Sequence, residues 1–198
     1  IDKDITRMPG DWDAPIPPLA MERPVTILGL GELGKACARP LIQLGFPVTG
    51  WSRSAKSISG MTCLHGNEGL TQALKTAQIL ILLLPDTPAT ENILNATTMA
   101  HLPRGAVVIN PGRGPLIHDD DLIAALDNGQ VGHATLDVFR VEPLPETHAF
   151  WHHPQVTITP HIAADTRPTT SAKVIAENVR RSEAGEPLLH LVDRQLGY

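Results

Sequence analysis

The chain has 198 residues, of which 42% are apolar and 19% are charged, and its formal net charge is −5. These values are typical of a globular domain with its own core, and they exclude collagen-like and disordered chains. An acidic chain lacks the basic surface that attracts nucleic acid, and its longest aliphatic run, Ile79 to Leu84, is too short to cross a bilayer. Two cysteines make no disulfide framework, and no signal-peptide pattern follows Ile1. We therefore expect a cytosolic protein that binds neither nucleic acid nor a membrane.

The first 23 residues carry four prolines and show no apolar periodicity. We interpret them as an irregular, proline-rich arm in which Trp12, Ile16 and Leu19 anchor onto another part of the protein. Such a segment rarely starts an independent domain, so the chain is expected to begin inside a longer protein. The predicted organisation is an arm over residues 1–23, followed by one domain with a C-terminal helix and tail over residues 24–198.

From residue 24 onward, strands and helices are predicted to alternate. Short apolar or β-branched runs predict strands, and apolar residues spaced for one helix face predict helices. The predicted strands are residues 25–28, 47–51, 61–64, 78–84, 106–109, 134–138 and 156–159. The predicted helices are residues 33–44, 69–76, 119–127 and 169–183. This alternation favours an α/β fold with a parallel sheet and right-handed crossovers.

A G-x-G-x-x-G turn joins the first predicted strand to the first predicted helix. Gly29 permits the tight turn, Gly31 lets the backbone approach a pyrophosphate, and Gly34 lets the helix pack closely on the strand. The helix N-terminus, with Glu32 and Leu33 in its first turn, would then face the phosphates. We predict a dinucleotide site in a Rossmann-type, doubly wound sheet with helices on both faces. A glycine-rich turn without a ligand is the alternative.

The end of the second predicted strand indicates which dinucleotide binds. An NAD site usually places an acid there, about 20 residues after the glycine turn, to hold the ribose 2′-hydroxyl. This chain instead has Ser52, Arg53 and Ser54, with Lys56 nearby. Arg53 can pair with a 2′-phosphate through two hydrogen bonds, and the serine hydroxyls can donate further ones. The segment therefore favours NADP over NAD, and a solvated basic turn is the alternative.

Three further motifs lie at predicted strand ends, where open α/β sheets bind their ligands. They are residues 110–114 (Asn-Pro-Gly-Arg-Gly), residues 137–145, and residues 159–164 (Thr-Pro-His-Ile-Ala-Ala). Together with the glycine turn, and in this order, they resemble the D-isomer-specific 2-hydroxyacid dehydrogenases, in particular their glyoxylate/hydroxypyruvate reductase branch. The resemblance runs from Pro24 to the C-terminus.

This resemblance implies hydride transfer from NADPH to a small 2-ketoacid such as glyoxylate or hydroxypyruvate. It assigns the catalytic arginine to Arg113, whose planar guanidinium can hold the substrate carboxylate and polarise the keto group. It assigns the acid/base histidine to His161, since imidazole titrates near neutrality. Glu142 is implied to bond the other ring nitrogen of that histidine and to stabilise its protonated form.

Further cofactor contacts follow from the same resemblance. Asp137 is implied to hold the nicotinamide carboxamide, with a cap at the strand end as the alternative. The other implied cofactor positions are Leu84, Pro85, Thr90, Pro111, Gly112, Arg113, His161 and Ala163. No metal site is expected, because His148, His152 and His153 have no further ligand placed to complete one. We interpret those three histidines as surface residues.

Members of the family have two domains and usually dimerise through the cofactor domain, so a homodimer is expected. Here the cofactor domain begins almost at once, and residues 1–23 look like the end of a substrate-domain region that is otherwise missing. A fragment is favoured, with a naturally short protein as the alternative. We expect such a fragment to bind the cofactor without turnover, because positioning and water exclusion need both walls of the cleft. The last predicted helix would then lack part of its packing partner.

Two other functions are left open by the sequence. One is a dehydrogenase of the same superfamily that acts on another ketoacid or on phosphite. The other is a dinucleotide-sensing or corepressor module without catalytic activity. The set of Arg113, Glu142 and His161 argues against a sensor, because a sensor has no need of an acid/base pair.

Overall fold

The computed structural model describes residues 17–194, which form a seven-stranded sheet with five α-helices around it. The strands are β1 (Val25–Leu28), β2 (Val48–Ser52), β3 (Thr62–His65), β4 (Ile79–Leu82), β5 (Ala106–Asn110), β6 (Val131–Leu136) and β7 (Val156–Ile158). The helices are α1 (Glu32–Gln43), α2 (Gly66–Lys75), α3 (Ala96–Met99), α4 (Asp119–Asp127) and α5 (Pro168–Glu183).

Every pairing in the sheet is parallel, and the strand order is β3-β2-β1-β4-β5-β6-β7. The chain starts at β1 in the interior of the sheet, moves outward to β3, and returns to the other side of β1 at β4. Val25 therefore pairs with both Val48 and Ile79. A sheet whose order reverses in this way opens a crevice at the carboxyl ends of the strands on either side of the reversal. The predicted Rossmann-type fold class is confirmed.

Two apolar clusters cover the two faces of the sheet. In β1, Val25 and Ile27 belong to the smaller cluster, whereas Leu28 belongs to the larger one. Successive side chains on a strand point to opposite faces, so a strand covered on both sides reads as a continuous apolar run. Each fully buried aliphatic side chain of this kind stabilises the fold by about 1.5–3 kcal/mol. These clusters hold the strands rigid, and the crevice lies at their carboxyl ends.

The predicted elements match the structure with few differences. β4 ends at Leu82 instead of Leu84, and Leu83 and Leu84 lie in the loop that lines the crevice. β6 begins at Val131, earlier than predicted, since Gly132 interrupts the apolar pattern. That glycine is needed because a Cβ there would lie 2.7 Å from the Gly105 carbonyl oxygen. The short helix α3 was not predicted, and the Asn95 side chain caps it by accepting hydrogen bonds from two amides of its first turn.

The two ends of the chain bear on the predicted domain organisation. Most of the predicted arm, with Trp12 and Ile16, lies outside the described residues, and the exposed Leu19 precedes a short 3-10 turn at Ala20–Glu22. Every residue of α5 is partly or fully exposed. Its apolar side chains include Ile175, which is 63% exposed. The division into an arm and a domain stays a prediction.

Candidate functional site

The glycine turn between β1 and α1 is packed too tightly for side chains at two of its three glycines. Gly29 has a φ of 109°, and a Cβ there would lie 2.4 Å from the Leu83 carbonyl oxygen. A Cβ on Gly34 would lie 1.9 Å from the Gly29 carbonyl oxygen. Real Cβ atoms do not come this close to backbone oxygens, so both glycines are required by the fold itself.

Gly31 is different, because a Cβ built on it meets no atom within 4 Å. Its φ of −75° suits any residue, so neither the backbone nor the packing of the protein explains a glycine here. Gly31 is the N-cap of α1, and no side chain caps this helix N-terminus. Open space above a glycine at an uncapped helix N-terminus fits a phosphate group that approaches the backbone closely.

The two glycines give a matched pair of substitutions. Gly31→Ala is expected to weaken NADPH binding by about tenfold or more, since the new methyl group fills the open space, while costing at most about 1 kcal/mol of stability. Gly34→Ala is expected to lower the free energy of unfolding by about 3 kcal/mol, because the helix must move off the strand. Fluorescence titration and chemical denaturation measure the two effects. If both variants lost the same stability, Gly31 would be required for packing, as Gly34 is, and the open space above it would not indicate a phosphate site.

A cavity of about 320 Å³ lies beside the glycine turn, towards the end of β2. Among the described residues that line it, the charged side chains are Arg53 and Lys56, both cationic. Ser52 and Ser54 also line it, and the buried Ser52 donates its hydroxyl hydrogen to the Ser54 carbonyl oxygen at 2.8 Å. Ser52 therefore shapes the turn that presents Arg53, and its predicted donation to a ligand competes with that bond.

The loop after β4 forms the wall between this cavity and a second cleft. Leu84 and Pro85 line both spaces, and Thr90 lines the first. The Thr90 hydroxyl donates to the Pro85 carbonyl oxygen at 2.6 Å and accepts a hydrogen bond from the Thr87 amide. The side chain of Thr90 therefore stabilises the loop through hydrogen bonds within it. Its hydroxyl is engaged there, so Thr90 contributes to the predicted cofactor site as a lining residue of the first cavity.

The second cleft, of about 520 Å³, collects most of the predicted site residues from five separate segments. These residues are Gly31, Glu32, Leu33, Gly34, Leu84, Pro85, Pro111, Gly112, Arg113, Asp137 and His161. They meet because the carboxyl ends of parallel strands share one edge of the sheet. Glu142 and Ala163 do not line the cleft and instead lie behind His161 and Asp137, to which they are hydrogen-bonded.

Arg113 follows β5 and is held by the side chain of Asn110. The buried Asn110 accepts a hydrogen bond from the Gly112 amide at 3.1 Å and donates one to the Arg113 carbonyl oxygen at 2.9 Å. The exposed guanidinium of Arg113 donates one hydrogen bond to the Gly112 carbonyl oxygen. Asn110 lay in a predicted motif without an assigned role, and its two contacts now give it one: it fixes the backbone that carries Arg113.

His161 and Glu142 form a hydrogen-bonded pair at the side of the cleft. The Nδ1 atom of His161 lies 2.7 Å from Oε2 of Glu142, and the Phe139 amide donates to Oε1. Burial alone would raise the pKa of Glu142, but the hydrogen bonds from His161 and Phe139 outweigh it and lower the pKa. An ionised carboxylate at Nδ1 keeps the proton on that nitrogen, so Nε2 is the ring atom that can exchange protons with a ligand.

Asp137 holds the loop that carries His161. Its carboxylate accepts hydrogen bonds from the Thr159 hydroxyl at 2.5 Å, from the Ile162 amide at 3.0 Å and from the Ala163 amide at 2.9 Å. These contacts are those of the strand-end cap that the sequence left as an alternative. They occupy three of the roughly four acceptor positions of the carboxylate. Burial would raise the pKa of Asp137, but these donors outweigh it and lower the pKa.

The depressed pKa of Asp137 gives a pH-dependent stability. Asp137→Asn places an amide nitrogen near a backbone N–H, so we expect a loss of about 1–3 kcal/mol at pH 7. A carboxyl with a lowered pKa stabilises the fold above its ordinary value of 3.8 and loses that effect as the pH falls through its folded value. The deficit of the variant should therefore shrink below about pH 4. Chemical denaturation at several pH values measures this difference in stability between the wild type and Asp137→Asn, and a substitution of the exposed Asp120, Asp120→Asn, is the control. A stability difference that does not change with pH would contradict the role of an ionised Asp137 in holding the loop.

The three histidines predicted to lie on the surface are not alike. His152 is exposed, but the His148 ring contacts Phe150 in a tilted arrangement with ring centroids 4.5 Å apart, and the His153 side chain is only 8% exposed, near Asp127. The prediction of a surface position is wrong for His153, whose side chain is buried, whereas the His148 side chain is partly buried at 24% exposed. Within residues 17–194, no three His, Cys, Asp or Glu side chains are grouped to hold a metal ion. No helix of that region has the length and apolarity to span a membrane.

Comparison with known families matches residues 6–163 to the D-isomer specific 2-hydroxyacid dehydrogenase, NAD binding domain. A glyoxylate/hydroxypyruvate reductase A of Serratia proteamaculans is 50% identical over 174 residues, which are 88% of this chain and 56% of that protein. The corresponding protein of Photorhabdus laumondii is 45% identical over the same length. The chain thus spans a little over half the length of these curated relatives.

Solved structures give the same result. A D-isomer specific 2-hydroxyacid dehydrogenase from Xanthobacter autotrophicus Py2, in complex with NADPH and MES, is 48% identical with a TM-score of 0.92. The match covers 96% of this chain and 78% of that chain. An NADPH-dependent glyoxylate/hydroxypyruvate reductase from Sinorhizobium meliloti, in complex with NADP and sulfate, is 39% identical with a TM-score of 0.91. That match covers 95% of this chain and 61% of the other.

Proposed function

This chain belongs to the D-isomer-specific 2-hydroxyacid dehydrogenase family, and we propose that the intact protein uses NADPH to reduce a small 2-ketoacid, glyoxylate or hydroxypyruvate. The observation that carries the proposal is one cleft shared by Gly31, Arg113 and His161, with Glu142 at Nδ1 of the histidine. A phosphate-binding turn, a guanidinium and a paired imidazole are what such a reduction requires. The relatives named as glyoxylate/hydroxypyruvate reductases support the choice of substrate class.

We propose that Arg113 binds and polarises the substrate. Bound NADPH supplies the hydride that adds to the keto carbon. The guanidinium of Arg113 presents several N–H donors in one plane, so it can bond a substrate carboxylate and the adjacent keto oxygen together. As the carbon–hydrogen bond forms, negative charge develops on that oxygen, and a fixed cation beside it lowers the barrier.

The proton in this proposal comes from His161. The protonated ring donates from Nε2 to the developing alkoxide, which becomes the hydroxyl group of the 2-hydroxyacid, and the neutral ring regains its proton from water. The Glu142 carboxylate accepts the hydrogen of Nδ1 throughout, and its charge stabilises the ring while it is cationic. Asp137 contributes by holding the loop in which His161 has a φ of 54°.

The preference for NADPH over NADH is supported by the two cations that line the cavity beside the glycine turn, Arg53 and Lys56. A ribose 2′-phosphate there would gain charge-assisted hydrogen bonds that a 2′-hydroxyl cannot make. Both solved relatives described above were captured with NADPH or NADP.

Fluorescence titration with NADPH and NADH tests this proposal. We expect tighter binding of NADPH by the wild-type chain. Arg53→Gln is expected to weaken NADPH binding by about tenfold to a hundredfold, the loss of one charged contact, with little effect on NADH. Arg23→Gln, before β1 at the opposite edge of the sheet, is the control. A wild-type preference for NADH would overturn the role proposed for Arg53. If the chain bound neither dinucleotide, the proposal of a dinucleotide site would be contradicted.

We propose further that the protein works as a homodimer, as the family resemblance implies. Sedimentation equilibrium of the intact protein measures its mass in solution. A monomer at micromolar concentration that still reduces a ketoacid would overturn this part of the proposal.

A further inference from the structure

Arg140 lies on the segment between Asp137 and Glu142, and its side chain reaches across to the loop that follows Arg113. Its Nη2 atom donates to the Ile117 carbonyl oxygen at 2.5 Å and to the Pro115 carbonyl oxygen at 3.3 Å. The same nitrogen donates to the side-chain oxygen of Asn92. One guanidinium thus joins three segments that are distant in sequence.

The charges around Arg140 hold its guanidinium in place. Glu91 lies 3.7 Å from Nη1, and Asp119 lies 3.7 Å from Nε. The other carboxylate oxygen of Asp119 is 3.5 Å from Nε2 of His148. With its side chain only 29% exposed and carboxylates on two sides, Arg140 is more restrained than a surface arginine.

The backbone around Arg140 also contacts the loop that follows Arg113. A Cβ on Gly114 would lie 2.0 Å from the Phe139 carbonyl carbon and 2.4 Å from the Arg140 amide nitrogen. The loop after Arg113 therefore packs directly on the segment whose Phe139 amide bonds Glu142. Backbone contact at Gly114 and side-chain bonds from Arg140 fix residues 113–117 against residues 139–142, and we call this contact the junction.

We propose that Arg140 is a positioning residue that sets the spacing between Arg113 and the Glu142–His161 pair. The inference rests on the proposed function for its kinetic effect, although the junction itself is independent of substrate. Arg113 and His161 must meet the same keto group from different loops, and a displacement of about 1 Å between reacting groups can cost a hundredfold in rate. Arg140 makes no contact in the cavity beside the glycine turn, so cofactor binding should not depend on it.

The test compares Arg140→Met with Arg104→Met in the intact protein. Arg104 also donates to a backbone carbonyl, that of Asn128 at 2.6 Å, but it lies before β5, at the other edge of the sheet. Arg140→Met is expected to lower kcat/KM for the ketoacid by about tenfold to a hundredfold, with the Kd of NADPH changed less than about twofold. Arg104→Met is expected to leave both constants unchanged. Arg140→Lys keeps the charge without the fork of donors and should recover only part of the activity.

Hydrogen exchange gives a readout that does not depend on turnover. In Arg140→Met, amides in residues 113–118 should exchange faster, while those in residues 25–34 keep their wild-type rates. If Arg140→Met does not fold, Arg140→Lys replaces it in both measurements. Unchanged kcat/KM, or a loss of NADPH affinity in parallel with activity, would overturn the inference. A wild-type protein that reduces no ketoacid would overturn the proposed function, while faster exchange in residues 113–118 would still support the junction.

Discussion

Replacing His161 with asparagine is expected to lower kcat for ketoacid reduction by about a hundredfold to ten-thousandfold. Asparagine is the suitable replacement because residue 161 has a φ of 54°, a conformation that asparagine tolerates better than most residues. The amide cannot supply a proton to the alkoxide, so the substitution removes the acid and leaves the rest of the cleft in place. Binding of NADPH should change little, because the phosphate groups are proposed to bind at the glycine turn.

Steady-state kinetics and fluorescence titration measure the two quantities for His161→Asn. The matched control is His152→Asn, since His152 is exposed and lies outside the cleft. A variant that keeps more than about a tenth of the wild-type kcat would assign proton donation to another group. A parallel loss of NADPH affinity would indicate that the loop had collapsed, and Glu142→Gln, which weakens the pair from its other side, would then be measured in its place.

Replacing Arg113 with lysine is expected to lower kcat/KM for the ketoacid by about a hundredfold to a thousandfold. Lysine keeps the positive charge but lacks the planar pair of donors that can bond a carboxylate and an adjacent keto oxygen together. The loss of kcat/KM therefore measures the contribution of that geometry. The backbone of residue 113 is held by Asn110 and is not expected to move. The substitution therefore separates geometry from charge.

The control for Arg113→Lys is Arg104→Lys, which changes an exposed arginine at the opposite edge of the sheet. Both variants are compared in kcat, in KM for glyoxylate and in the Kd of NADPH. We expect both kcat and KM for glyoxylate to worsen in Arg113→Lys, with the Kd of NADPH close to wild type. An unchanged kcat/KM would mean that Arg113 does not touch the reacting group, and it would overturn the role proposed for this arginine.

The sequence was sufficient to predict the sheet and the residues that meet at its edge. Parallel strands bring their carboxyl ends together, so motifs as far apart as Gly31 and His161 could be placed in one cleft from their positions after predicted strands. The glycine turn could also be predicted from the sequence, because the steric demands at Gly29 and Gly34 follow from the strand-to-helix geometry itself.

The roles of individual polar side chains were harder to predict. Asp137 bonds Thr159 and two amides that come more than 20 residues later, and a sequence gives no sign of such pairings. Thr90 bonds its own loop, and Arg140 reaches the carbonyl groups of residues 115 and 117. These partners are set by where loops pass one another in space. The one available signal was for Asn110, an amide next to a glycine turn, which often bonds nearby backbone.

Reduction of glyoxylate with NADPH carrying two deuterium atoms at C4 of the nicotinamide tests the central proposal most directly. If the intact protein performs the proposed hydride transfer, mass spectrometry of the product will show glycolate with one deuterium on carbon, formed in equal amount to the NADP. The same reaction with the His161→Asn variant should yield almost none. Tight binding of NADPH without transfer of deuterium to glyoxylate, hydroxypyruvate or a bulkier 2-ketoacid would contradict the proposal and would identify the chain with a dinucleotide-binding module instead.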